Sequence, residues 1–360
     1  MTTALGLDIG GANLKAADLD AKVRTTAFPM WQRHGELTSR LRSLSWIEHP
    51  DLVGVVMTAE LADCFDCKAD GVRRVIDSVQ HAFPQSEIRI WLTSGEFAEP
   101  DDAADLPQLV AAANWHALAT WVGRTVPDGP AILIDIGSTT TDIIPLVDGI
   151  PMSSGLTDLE RLQFGELIYT GVRRTPLCAV SQSVVLAGTE VPVAAELFAT
   201  VQDVHTVLQS ITEDRGNTDT ADGKPSTVRA ARRRIARMIC CDQSELSDQT
   251  IGQIAQQFAG SQRDQLIKAV QRIRTAQRKQ LQAAGHRKAD EKPQIVLSGS
   301  GTFLAAEITA ECGLSTTLSL TESTSSAVAE AACALAIARL VFERCRDDLL
   351  ETVSSHETGD

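Results

Sequence analysis

Two carboxylates stand in matching surroundings. Asp8 closes an apolar run in LGLDIGGANLKAADLD (residues 5–20), and Asp135 closes another in AILIDIGSTTTDIIPLVDG (131–149). Each is followed by isoleucine and glycine (Gly10-Gly11 in the first copy, Gly137 in the second), and then by a second apolar run. Either copy alone reads as a β-hairpin whose glycines serve the turn. Two copies describe an architecture, two similar lobes each with a strand-Asp-x-Gly-turn-strand unit. Glycine turns of this kind bring backbone N–H groups close to an anion and form a nest for phosphate. A carboxylate beside each nest repels phosphate unless a cation lies between, so Asp8 and Asp135 imply Mg²⁺, bound through its waters. A third stretch, PQIVLSGSGTFLAAEIT (293–309), reads as a strand, the turn Gly299-Ser300-Gly301, and a helix opened by Thr302. A helix N-terminus behind a glycine turn offers free N–H donors to an anion or a nucleotide.

The elements that must position these turns follow from periodicity. The first half predicts strands over about 4–10, 13–20 and 23–28, a helix over 35–48, a strand over 52–57, a helix over 69–82 and a strand over 87–91. Three strands followed by alternating helix and strand is the order of a ribonuclease-H-like lobe. A second set of strands opens at Pro130. The domain boundaries expected are 1–129, 130–350 with a helical insertion at about 190–285, and a flexible tail at 351–360. TEDRGNTDTADGKPSTVR (212–229) reads as a mobile polar loop. Arg229, Arg232, Arg233, Arg234 and Arg237 fall on one helix, and Leu266, Ile267, Val270 and Ile273 mark another. Solvated basic faces are the expectation for both, against anion binding by some of the arginines.

Composition narrows the function classes. The chain has 360 residues, 43% of them hydrophobic, enough for two cores. With 33 basic against 47 acidic residues and a formal charge of −14, it lacks the basic footprint that nucleic acid needs. There is no charged-then-apolar leader and no apolar run near ~20 residues, so a cytoplasmic protein without a membrane partner is expected. The eight cysteines include one Cys64-x-x-Cys67 pair but no second pair at zinc-site spacing. Buried free thiols in a reducing compartment are expected.

The paired turns and the third loop resemble the actin, sugar-kinase and heat-shock-ATPase superfamily. That resemblance implies an α/β fold of two ribonuclease-H-like lobes with an interlobe cleft for a phosphate-bearing ligand. Residues 8–15 match its first phosphate loop, 135–142 its second, and 297–301 its nucleoside-contacting loop. The Ala- and Ser-rich stretch from about Ser325 to Leu340 resembles its connecting helix. Outside the loops, MTAELADCFDCKADGV (57–72), ANWHALATWVG (113–123) and DLERLQFGELIYTGVRRTPLC (158–178) resemble a small hydantoinase/oxoprolinase-related family linked to tetrahydromethanopterin-dependent one-carbon metabolism. Characterised members of that family make methanofuran. They join an aminomethyl-furan-methyl diphosphate to γ-glutamyltyramine through an aryl ether and release diphosphate. One departure is Ala59, where the family pattern has glycine.

The resemblance implies roles residue by residue. Lys15 occupies the phosphate-contacting lysine position, against the alternative of a strand-edge lysine facing water. Gly10, Gly11, Asn13, Gly137, Ser138, Thr139, Thr140, Gly299, Ser300 and Gly301 would surround the diphosphate. A phenol has an unperturbed pKa near ~10, so a general base aids its attack. Glu60 and Asp63 are the candidates, against a helix-capping Glu60 and a surface Asp63. Arg173 and Arg174 are expected to clamp the glutamyl carboxylates or the diphosphate, against ordinary surface ion pairing. Partners are then a diphosphate substrate and a phenolic amine acceptor, with Mg²⁺ as cofactor. The rival readings are an ATP-dependent small-molecule kinase, a hydantoinase/oxoprolinase-type hydrolase and a nucleotide-binding regulatory module. The oligomeric state is not legible.

Overall fold

The computed structural model describes the backbone of residues 2–357 and the side chains through Cys345. The chain divides into two compact units. One comprises Met1–Leu133, Ile144–Phe164 and Leu320–Asp360; the other comprises Ile134–Ile143 and Gly165–Ser319. This corrects the division at 129/130. The chain returns to the first unit at Leu320, because the helix Ala332–Glu357 packs on that unit's sheet. That helix also runs into the segment expected to be a flexible tail, whose residues 358–360 lie outside the described residues.

The first sheet contains β1 (Ala4–Gly10), β2 (Asn13–Asp18), β3 (Val23–Ala27), β4 (Leu52–Thr58), β5 (Glu87–Trp91) and β6 (Phe97–Ala98), in the order β3-β2-β1-β4-β5-β6. The β1–β2 and β2–β3 pairs are antiparallel, and the β1–β4 and β4–β5 pairs are parallel. This is the ribonuclease-H-like arrangement. β1 and β4 are buried along nearly their whole length, as central strands covered on both faces must be. One face meets helices Leu37–Leu44 and Lys68–Ala82. The latter shows Val72, Val75, Ile76 and Val79 at helical spacing, and these join Leu5, Leu7, Ile9, Val53 and Val55 in one core. On the other face Gly6 and Gly54 are direct register partners, and they leave a smooth bed for the helix Ala332–Glu357. A Cβ on Gly54 would meet Ile337 O at 2.9 Å and the Val341 side chain at 3.0 Å.

The remaining strands are β7 (Pro130–Ile136), β8 (Thr141–Val147), β9 (Ile150–Pro151), β10 (Leu167–Ile168), the hairpin β11 (Ser183–Leu186) and β12 (Thr189–Pro192), then β13 (Gln294–Ser298) and β14 (Thr316–Ser319). The second sheet runs β10-β8-β7-β13-β14, with β9 on β8. The helices Val201–Val207, Val228–Arg237 and Asp248–Ala283 share a core that includes Val204, Ile235, Ile251 and Phe258. Arg234 departs from the solvated face expected of its helix. It is fully buried, donates from Nε and Nη2 to Asp203 Oδ1 (2.8 and 2.6 Å), and donates from Nη1 to Asp222 Oδ1 (2.8 Å). Asp222 belongs to the polar segment read as a mobile loop, so this ion pair anchors that loop, as does the Gln202 Nε2 bond to Ser226 Oγ. No disulfide joins the cysteines, and only Cys333 and Cys345 are buried. Cys240 lies beyond the end of the helix Val228–Arg237, at φ 57°. The stretch read as one connecting helix is two, Ser326–Glu330 and Ala332–Glu357. Among the described residues no helix is long and apolar enough to cross a membrane.

Replacing Gly54 by alanine should overpack the sheet–helix contact. The expected loss is about 1–3 kcal/mol, read as a lower denaturant midpoint for the first unit. An unchanged midpoint would mean that the helix is not seated on the strands.

Candidate active site

In the first unit the candidate residues gather at the carboxyl ends of β1 and β4, the edge at which open α/β sheets hold ligands. Asp8 and Lys15 are register partners on β1 and β2, and Lys15 Nζ donates to Asp8 Oδ2 at 3.2 Å. β2 is an internal strand, so Lys15 is not an edge lysine; its side chain is 23% exposed, against 5% for Asp8. Gly10 pairs with Thr58, the residue from which the chain turns into Ala59 and Glu60. Met30 N donates to Gly11 O (2.9 Å) and Phe28 N to Ala12 O (2.8 Å), fixing the far side of the first loop. Asn13, the first residue of β2, is half-buried.

Glu60 is 2% exposed. The helix Lys68–Ala82 presses on it through Gly71, where a Cβ would fall 2.7 Å from the Glu60 Cα. That helix starts after Cys67, so Glu60 does not cap it. Its Oε2 is buried with no hydrogen-bond partner. Burial pushes its pKa up to about 7, with the Asp158 charge adding to the rise and Lys68 opposing it. A carboxylate poised near neutrality is the state a general base requires. Asp63, by contrast, is exposed. Ala59 is fully buried and is not among the residues with positive φ, so alanine fits where the family pattern has glycine.

In the second unit three segments converge. The loop Gly137–Thr140 closes with Gly137 N on Thr140 O (2.9 Å). Along it run residues 171–174: Val172 N donates to Gly137 O (3.1 Å), and Arg173 N and Arg174 N both donate to Ser138 O (3.0 and 2.9 Å). Gly171 lies flat on this loop, where a Cβ would meet Gly137 O, Ser138 C and Thr139 N at 2.5–2.6 Å. The third segment enters through Gly299, at φ 86°, whose added Cβ would meet Asp135 Oδ1 at 2.5 Å. Gly301 N donates to Ile136 O (2.9 Å), and the helix Thr302–Glu311 starts there. Asp135, Gly137, Ser138, Thr139, Thr140 and Ser300 are half-buried, while Arg173 and Arg174 are exposed. One set of candidates is thus assembled in each unit.

Sequence reasoning missed Gly171 and the buried Gln262 behind it. Gln262 sits four residues before Leu266, on the apolar stripe already visible in that helix, and a polar residue at a stripe position was the available signal. It also missed Arg161, which is 1% exposed and stacks 4.0 Å above the Trp115 ring.

A hydantoinase/oxoprolinase family profile matches residues 51–344. The chain belongs to the hydantoinase/oxoprolinase family. A relative from Methanocaldococcus jannaschii, named (4-{4-[2-(gamma-L-glutamylamino)ethyl]phenoxymethyl}furan-2-yl)methanamine synthase, is 36% identical over 247 residues, 68% of this chain and 73% of that protein. A relative of the same name from Methanococcus vannielii is 44% identical over 129 residues, 36% of this chain and 57% of that protein. Among solved structures, nucleotide-free acetone carboxylase superposes with a TM-score of 0.50 at 11% identity, covering 92% of this chain and 70% of that one. At that identity the likeness shows the fold alone.

The Glu60 environment gives stability a pH dependence. Between the ordinary glutamate value of 4.5 and the folded value of about 7, the unfolded chain has released a proton that the folded chain still holds. Stability from this group is therefore full below the lower value and falls as pH rises to the upper one, by on the order of 3 kcal/mol in all. Glu60→Gln should remove this slope, so its advantage over wild type in denaturant titrations should grow from acid to neutral pH. A difference that stays constant with pH would show that Glu60 is solvated.

Proposed function

We propose that this protein joins a phenol to a furylmethyl carbon, making the (phenoxymethyl)furan of its named relatives from an aminomethyl-furan-methyl diphosphate and γ-glutamyltyramine, in methanofuran biosynthesis. The observation that carries the reading is the 36% identity over about two thirds of both chains to a synthase whose name contains that ether. Both relatives are named as synthases, neither as a kinase nor as a hydrolase.

The chemistry assigns each residue set a task. The phenol O–H gives its proton to Glu60, and the oxygen bonds to the furylmethyl carbon. The bond from that carbon to diphosphate breaks, and diphosphate leaves with the electron pair. Departure leaves a resonance-stabilised furylmethyl cation, so catalysis rests mainly on stabilising charge on the leaving group. Lys15, Asn13 and the N–H groups of Gly10-Gly11 serve this in the first unit. Ser138, Thr139, Thr140 and the turn Gly299–Gly301 serve it in the second. Arg173 and Arg174 bind the diphosphate or the glutamyl carboxylates.

Mg²⁺ suits the donors present. Asp8 in the first unit and Asp135 in the second each offer hard carboxylate oxygens. A carboxylate of this kind suits an ion that keeps its waters and takes its remaining ligands from substrate phosphate. Bound there, Mg²⁺ would neutralise charge on the diphosphate.

Purified protein given the furylmethyl diphosphate, the phenolic acceptor and Mg²⁺ should form ether and diphosphate in equal amounts without nucleotide. Ether that appears only with ATP, or ATP consumed on another acceptor, would replace this reading with a kinase. Lys15→Met should lower kcat by ~10²-fold or more and weaken inhibition by inorganic diphosphate. Unchanged diphosphate affinity would take Lys15 out of the site. The wild-type rate should rise through the Glu60 pKa of about 7. Glu60→Gln should lose that rise and recover toward wild type near the phenol pKa of ~10, where solvent supplies phenolate. If activity is indifferent to Glu60→Gln, the base is Asp63 or water.

A further inference from the structure

Gln262 occupies a position where the helix Asp248–Ala283 otherwise buries Phe258 and Leu266, one turn to either side. It is 1% exposed, and a leucine there would need no partners. The amide is instead fully engaged. Nε2 donates to Thr170 Oγ1 (2.9 Å) and to Gly171 O (2.7 Å), and Oε1 lies 3.1 Å from His205 Nε2. A backbone carbonyl only accepts, so the nitrogen of the amide must face Gly171 and the oxygen must face His205. The proton of His205 is then on Nε2, and its buried Nδ1 has no partner. Burial lowers the pKa of this imidazole, consistent with a neutral ring. The ring also meets Phe303 edge-on, 5.1 Å between centroids, on the helix that follows Gly299–Gly301.

The residues held by Gln262 are those that lie on the second loop. Thr170 O accepts from Thr141 Oγ1 (2.7 Å), and Gly171 N donates to Thr175 Oγ1 (3.0 Å). Gly171 contacts Gly137–Thr139 directly, and the next three N–H groups bond to Gly137 O and Ser138 O. We propose that Gln262, oriented by His205, is a positioning residue: it fixes Thr170–Gly171 on the Gly137–Thr140 loop and thereby aims Arg173 and Arg174 at an anionic group of the substrate. This rests on the reading of the two arginines as anion ligands, and the test separates the two claims.

Calorimetric titration with inorganic diphosphate and, in a second arm, with γ-glutamyltyramine tells which anion the arginines bind. The Arg173→Ala/Arg174→Ala protein should lose ~10-fold or more in affinity for one of them. Gln262→Leu should weaken the same probe, and adding it to the arginine variant should cost nothing further, because both changes remove one interaction. Gln262→Glu keeps the volume but replaces both donations. Its affinity should improve on acidification, as the carboxyl regains a proton to donate, which a purely structural defect would not reproduce. Effects that multiply, or full affinity in Gln262→Leu and Gln262→Glu, overturn the positioning role while leaving the arginines in place. If the arginine variant binds both probes normally, the arginine reading itself fails, and the role of Gln262 with it.

Discussion

Backbone lying directly on backbone is the constraint on which both candidate sites depend. Gly71 lets a helix rest against the main chain of Glu60, and Gly171 lets residues 171–174 rest on the second loop. At either place a methyl group would collide with carbonyl or peptide atoms of the segment beneath it. The gain from such contact is positional accuracy. Glu60 is held with Oε2 buried and without a hydrogen-bond partner, and Arg173 and Arg174 are tied by their own N–H groups to the Ser138 carbonyl. Sites built this way need little reorganisation when a charged substrate arrives.

Two buried acids show how differently the fold treats charge. Asp203 is matched by the Arg234 guanidinium and by its own capping bond from Thr200 N, so its role is to organise helices. Glu60 has a buried oxygen with no partner, which costs stability. It lies just after Thr58, the residue of β4 that pairs with Gly10 of the first loop. Lys15 and Asp8 lie between these extremes, paired with each other yet with the lysine partly open to solvent.

Local pattern made much of the fold readable. The strands β1 to β5 and the helix Lys68–Ala82 fall within a few residues of expectation, because their apolar periodicity and bounding glycines are strong signals. What escaped depends on contacts distant in sequence. Arg234 looks like one more cation on a basic helix until Asp203 and Asp222 are brought to it. The return of the chain to the first unit rests on a helix of small residues finding Gly6 and Gly54, which no local window displays. Among the candidate residues, the glycine turns at the ends of β1 and β7 and the place of Glu60 just after β4 were legible from residue type. Gln262 was not, since its importance comes from Thr170, Gly171 and His205, each far from it in the chain.

The seating of the helix Ala332–Glu357 on β1 and β4 also sets the order in which the molecule can be made. The ribosome releases those two strands first and the helix that covers them only after the entire second unit has emerged. Until then one face of the first sheet, including Ala4 and Leu52, has lost the residues Val341 and Cys345 that shield it in the finished protein. The first unit therefore completes its folding after the second has been synthesised, and the nascent chain carries an open apolar sheet throughout that interval.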